Sequence, residues 1–190
     1  MKHILSVCFA FIILSLPVTA QTVGISYSPF AAASLKCTDG VYNYSSSLSA
    51  GVTYEFLTNG DSIMLEGFYS VYNFKDYKPL GEQVTVPNTE QMKLMSLMAY
   101  FGWTINKKKR AQFPIYAGLG VCSFDNSPQP ETTLCAGLKA RAKFYVTNRF
   151  GLFAGVNAGL GLFIPENDFL GQYRPMSLEF GLIFDLLDTK

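Results

Sequence analysis

Seven charged side chains and two cysteines carry the chemistry this chain has to offer. The anions are Glu55, Glu66, Glu179 and Asp185, the cations are Lys139, Arg141 and Lys143, and the thiols are Cys122 and Cys135. Paired carboxylates can do general acid–base work. Carboxylates that meet cations out of water form ion pairs instead, because a buried charge needs a partner. The sole histidine, His3, lies in the N-terminal leader, so the remaining chain has no Ser–His or Asp–His arrangement and no histidine metal site. The cysteines have no ligand spacing that suits zinc. No catalytic, cofactor-binding or metal-binding residue is therefore expected, and the seven charges are read as one ion-pair network.

The elements that position them are visible in their spacing. From Leu134 to Val146 the chain alternates: Leu134, Ala136, Leu138, Ala140, Ala142, Phe144 and Val146 on one side, and Cys135, Gly137, Lys139, Arg141, Lys143 and Tyr145 on the other. On a helix, at about 100° per residue, Arg141 would sit nearly opposite Lys139 and Lys143. On a strand all three cations share a face. An apolar outside and a charged inside describe a strand of a membrane barrel. Turning those three cations toward lipid would cost very roughly 6–12 kcal/mol at about 2–4 each, comparable with the stability of a domain. The register is strongly fixed.

The same rule runs through other segments. Leu48, Ala50, Val52, Tyr54 and Phe56 oppose Ser49, Gly51, Thr53 and Glu55, and Met176, Leu178, Phe180, Leu182 and Phe184 oppose Ser177, Glu179, Gly181 and Asp185. Around Glu66 the pattern is less clean, since Met64, Phe68 and Tyr72 share its side. Strands are predicted at 22–33, 48–58, 62–74, 92–105, 113–124, 134–146, 150–164 and 175–187. Their connections alternate strictly between long (34–47, 75–91, 125–133, 165–174) and short (59–61, 106–112, 147–149), as they do when short turns face the periplasm and longer loops the outside. Asn59-Gly60-Asp61 is a strong hairpin signal. The short-turn end gathers Phe56, Phe101, Trp103, Phe113, Phe144, Phe150 and Phe184, all outward, as one aromatic girdle, with Tyr27 and Tyr69 placed to join the outer one.

Residues 1–20 read as a signal peptide: Lys2 and His3, an apolar core from Ile4 to Leu16, then Pro17 and Val18-Thr19-Ala20, with cleavage ahead of Gln21. The domain is then 21–190. It carries 14 basic and 14 acidic residues, so nothing in its balance points to nucleic acid. Its longest uncharged run, Phe150 to Pro165, is 16 residues with four glycines, a poor transmembrane helix. Cys122 and Cys135 are expected inward near the outer ends of neighbouring strands, directly opposite in a register whose partners sum to 257. They are either a disulfide, which an oxidising compartment allows, or two buried thiols. Cys37 is left over in the first long loop. Lys107-Lys108-Lys109-Arg110 is a solvated basic turn or a contact for anionic headgroups. Tyr42, Tyr44, Tyr77, Lys75, Lys78 and Ser45-Ser46-Ser47 are assigned to the loops.

Over about 21–187 the chain resembles the small eight-stranded outer-membrane barrel proteins, including OmpA-like and OmpX-like barrels. The likeness rests on the alternation, the loop asymmetry, the lumen charges Glu55, Lys139, Arg141 and Glu179, and the outward Leu178, Phe180, Leu182 and Phe184. It implies an all-β fold, an eight-stranded antiparallel up-and-down transmembrane β-barrel in the cell outer membrane. The expected role is non-enzymatic: a barrel without cofactors that displays loops for membrane integrity, adhesion or partner binding. Its expected partners are outer-membrane lipid and an extracellular ligand or surface partner at the loops, with no nucleic acid. Two alternatives stand beside it, a narrow porin-like channel and a soluble exported barrel that binds an apolar ligand inside.

Overall fold

The computed structural model describes residues 20–36, 40–58, 61–80, 91–106, 110–125, 131–163 and 171–186. Residues 1–19 of the leader, Cys37 and the lysines at 107–109 lie outside the described residues. Eight strands follow one another: β1 (Ala20–Lys36), β2 (Gly40–Thr58), β3 (Asp61–Pro79), β4 (Gln91–Ile105), β5 (Ala111–Asp125), β6 (Glu131–Tyr145), β7 (Phe150–Phe163) and β8 (Gly171–Asp185). Each pairs antiparallel with its neighbour, and β8 returns to β1, closing the barrel. Closure leaves no sheet edge in the wall. Among the described residues no helix is long and apolar enough to cross a membrane.

The predicted alternation is the observed one. Leu134, Leu138 and Phe144 are exposed on β6 while Lys139, Arg141 and Lys143 are buried. Around the ring, Ile25, Val52, Leu97, Ile115, Val156 and Leu182 all face out. The exterior is an apolar belt, the arrangement that suits hydrocarbon and not water.

The connections differ from expectation. β2 and β3 have 19 residues each, against 14 or 15 in β4 to β8. Pairing of β1 with β2 continues to Lys36↔Val41, leaving only 37–39 between them, so the strict long–short alternation fails at the first outer connection. Irregularities interrupt the ladder along these strands. β1 carries an additional residue against β8 between Tyr27 and Phe30, around Pro29, which has no N–H for the ladder. Register also shifts between β2 and β3 at Ser46/Leu48 and again at Asn43/Tyr44. Such bulges swap the inward parity, so that Ser26 and Ser28 point in below the bulge and Ala31, Ala33 and Leu35 above it. Tyr42, Tyr44, Lys75, Tyr77 and Lys78 thus belong to strands, with Tyr42 and Tyr44 buried inside and not displayed. Simple period-two counting runs off phase here.

At the base the turns are tight. Thr58 pairs with Asp61, a two-residue hairpin. Asn106 follows β4 at φ 61°, a conformation Asn tolerates better than most residues. In the β6–β7 turn the Thr147 hydroxyl accepts from the Phe150 amide at 2.9 Å. Phe101, Trp103, Phe113, Phe144, Phe150 and Phe184 form the exposed girdle there. Phe56 is a correction: it is 2% exposed, its ring edge-on to Tyr54 at 4.6 Å.

Candidate functional site

The lumen is filled in layers. Near the outer end, Leu35, Tyr42, Tyr44, Met92, Leu94 and Tyr173 pack as an apolar and aromatic plug. Below it lies a charged layer that β6 builds from one face. Lys139 Nζ bonds Glu66 and reaches Glu179 Oε2 at 3.1 Å. Arg141 Nε donates to Glu179 Oε1 at 2.7 Å, and its Nη2 lies 3.3 Å from Glu66 Oε1. Lys143 Nζ bonds Glu55, whose other oxygen accepts from the Tyr116 hydroxyl at 2.7 Å. Three cations so meet three carboxylates on four strands, β2, β3, β6 and β8. All six are almost wholly buried.

Asp185 is the exception. Its Oδ1 accepts from Thr22 at 2.7 Å and from Tyr145 at 3.2 Å. Its hydrogen-bond partners are hydroxyls, and no ion pair joins it to the network among the described residues. Asp185 lies opposite Thr22 on β1, and Thr22 in turn lies opposite Glu55 on β2, which takes Lys143.

Sequence reasoning named the charges and missed the neutral groups that seat them. Tyr100 presents its ring to Lys139 Nζ at 5.4 Å, and Phe153 lies 4.3 Å from the Arg141 guanidinium carbon. Both are cation–π distances. Arg141 Nη1 also reaches Met64 Sδ at 3.1 Å. The signal for these residues is parity alone: each falls on the inward face of its strand. Gly155 is a second missed element. A Cβ there would stand 2.7 Å from the Ala140 carbonyl and 2.9 Å from Arg141 Cγ, so glycine leaves the room through which Arg141 approaches Glu179.

Cys122 and Cys135 are joined as a disulfide with Cα atoms 6.1 Å apart. The expected register is corrected, however. Partners in β5–β6 sum to 255, with Cys122 opposite Thr133 and Gly120 opposite Cys135. The cysteines are diagonal neighbours on the inner face. Beside them is a cavity of about 40 Å³ lined by Glu66, Ser96, Met98, Tyr100, Asn157 and Tyr173, room for a water or two and for little else.

Chemically, the charged layer is self-neutralising. Each carboxylate of the three is held by a cation, and the cavity of about 40 Å³ beside Glu66 is too small for a substrate. Among the described residues no group of three or more His, Cys, Asp or Glu side chains is arranged for a metal.

No protein-family model matches the chain, and no curated protein matches it. Solved structures do. The chain is similar to the Neisserial surface protein A, with a TM-score of 0.58 at 16% identity, covering 87% of this chain and 96% of that one. It is similar to the outer membrane protein OprG of Pseudomonas aeruginosa, TM-score 0.50 at 9% identity, covering 89% and 97%. A major outer membrane protein of Thermus thermophilus matches with TM-score 0.50 at 12% identity, covering 86% and 99%. With its closed ring of eight strands, apolar exterior and charged interior, the chain has the fold of the small eight-stranded bacterial outer-membrane β-barrels.

Proposed function

We propose that this protein is a non-enzymatic barrel of the cell outer membrane that displays its outer end for membrane integrity, adhesion or partner binding. One observation carries the reading: the lumen is occupied by its own side chains, ion-paired in the middle and aromatic above. An interior so filled leaves the wall, which faces lipid, and the two ends. Of the ends, the outer one has the longest connections, 80–90 and 164–170, and the β2–β3 hairpin, whose pairing continues past the start of β4 to Gly40↔Pro79. Loops held on a rigid scaffold are where binding residues concentrate.

The alternatives need different interiors. A soluble barrel with an apolar ligand needs an apolar lumen and a polar exterior, the reverse of β2, β6 and β8. A channel needs a continuous water path through the ion-paired layer. The test is extraction and migration. The native protein should require detergent for extraction, migrate differently in gels with and without boiling, and show no conductance above background in planar bilayers. Recovery as a soluble protein without detergent would refute the membrane reading. Steady conductance would refute the filled lumen.

A further inference from the structure

Strand β7 brings a single hydrogen-bonding side chain into the lumen. Its inward positions are Gly151, Phe153, Gly155, Asn157, Gly159 and Gly161. The Asn157 side-chain oxygen, Oδ1, is buried and accepts no hydrogen bond among the described residues. Leaving a buried amide oxygen without a donor costs its full desolvation. Native interiors supply that donor from protein or from ordered water.

The register shows why the protein does not supply it. Asn157 lies opposite Lys139 on β6 and Ser177 on β8. The Lys139 ammonium is turned to Glu66 and Glu179, and the Ser177 hydroxyl does not donate to Oδ1. Along β7 the adjoining inward residues, Gly155 and Gly159, have no side chain to offer.

What does adjoin Asn157 is the cavity of about 40 Å³. It lies between the plug, represented by Tyr72, Leu94 and Tyr173, and the charged layer, represented by Glu66 and Tyr100. A water needs about 10–15 Å³ of such space and roughly two to four polar partners. The cavity supplies both, since Glu66, Ser96 and Ser177 line it together with Asn157. Cavities that stay dry are apolar, and this one is not. Its size excludes a sugar or a lipid headgroup. A cation would unbalance a layer in which three cations already meet three carboxylates.

We propose that this cavity is a structural water site. A water molecule there donates one hydrogen to Asn157 Oδ1 and makes its other bonds to Glu66, Ser96 or Ser177. It ties β7 to the charged layer, which that strand otherwise meets through the Phe153 ring beside Arg141. The inference is independent of what the outer end of the barrel binds. A water held between the plug and the ion pairs is not a path for ions, so it leaves the conductance expected above unchanged.

The test is diffraction from crystals of the full protein grown in lipid, at a resolution that shows ordered water. Oxygen-17 relaxation dispersion of the detergent-solubilised protein, which counts long-lived waters, accompanies it. Wild type should show a density peak in the cavity about 2.5–3.0 Å from Asn157 Oδ1, with a second polar partner among Glu66, Ser96 and Ser177. Asn157→Leu, close in size but unable to accept, should lose that peak and at least one long-lived water. A wild-type cavity without density overturns the inference, as does an Asn157 amide turned to bond Ser177 or Lys139 directly. A peak that persists in the leucine variant overturns it too, and so do equal counts of long-lived water in the two proteins. Should the leucine variant fail to fold, the wild-type map decides alone. Steady conductance would overturn the filled lumen and not this site, which the map scores separately.

Discussion

Lys143→Met isolates the energetics of the filled lumen. Lys143 and Glu55 are 2% and 3% exposed on their side chains, and methionine keeps much of the lysine's length while removing its charge. Glu55 would then retain the Tyr116 hydroxyl at 2.7 Å but lose its only bonded cation among the described residues. At an effective dielectric of about 20 and a separation near 4 Å, the lost attraction is about 4 kcal/mol. Removing one partner of a buried pair costs about 3–5 kcal/mol by mutation. The second half of the test is Glu55→Gln/Lys143→Met. Glutamine still accepts from Tyr116 and leaves no uncompensated charge, so the double variant should recover most of the loss, with a coupling energy of at least about 2 kcal/mol. Equilibrium unfolding by urea in lipid vesicles, followed by the fluorescence of Trp103, gives all four corners of the cycle. A single variant that loses less than about 1 kcal/mol would behave as an exposed pair does. In that case water fills the lumen, and both the plug and the argument against a channel fall.

Three further outcomes are expected. Trp103 is the sole tryptophan and is 58% exposed on the outer wall, so phospholipids brominated on their acyl chains should quench it strongly and aqueous iodide weakly; the reverse order would place that wall in water. Gly155→Ala should destabilise by about 1–3 kcal/mol, because its Cβ meets the Ala140 carbonyl at 2.7 Å and Glu179 Oε1 at 3.0 Å. Gly67→Ala, with nothing within 4 Å, should by contrast stay within about 0.5 kcal/mol in urea titrations. Denatured but unreduced mature protein should take up one maleimide, at Cys37, and three after reduction, as counted by mass spectrometry; two or more before reduction would mean Cys122 and Cys135 are not bonded.

What could be read from the chain, and what could not, divides along physical lines. The wall was legible because a strand in lipid obeys one strict rule, alternation, and because three cations at spacings of two on β6 admit no other period. The identities of the lumen charges followed from the same parity. Four things were hidden. Bulges at Pro29 and at Ser46/Leu48 change the phase without a change in composition, so Tyr42 and Tyr44 read as loop residues although they are interior ones. The β5–β6 register was displaced by two because a shift of two preserves every face and leaves the alternation unchanged. Phe56 has the parity of an outward residue, and only its ring contact with Tyr54 shows that it is covered. Neutral members of the charged layer, Tyr100, Tyr116 and Phe153, carried no signal beyond parity, since aromatic residues occur on both faces.

The two halves of the design constrain each other. An apolar belt fixes which residues face lipid, and the pleat then drives every intervening residue into the lumen, charged or not. Six charged groups inside a narrow barrel are tolerable only when they neutralise one another, and β6 does this by placing Lys139, Arg141 and Lys143 where Glu66, Glu179 and Glu55 converge from three other strands. A one-residue slip would expose the cations to hydrocarbon and leave the carboxylates buried without partners, two penalties that reinforce each other. The middle of the barrel is thereby committed to structure. Freedom to bind remains where that constraint ends, at the two ends of the barrel.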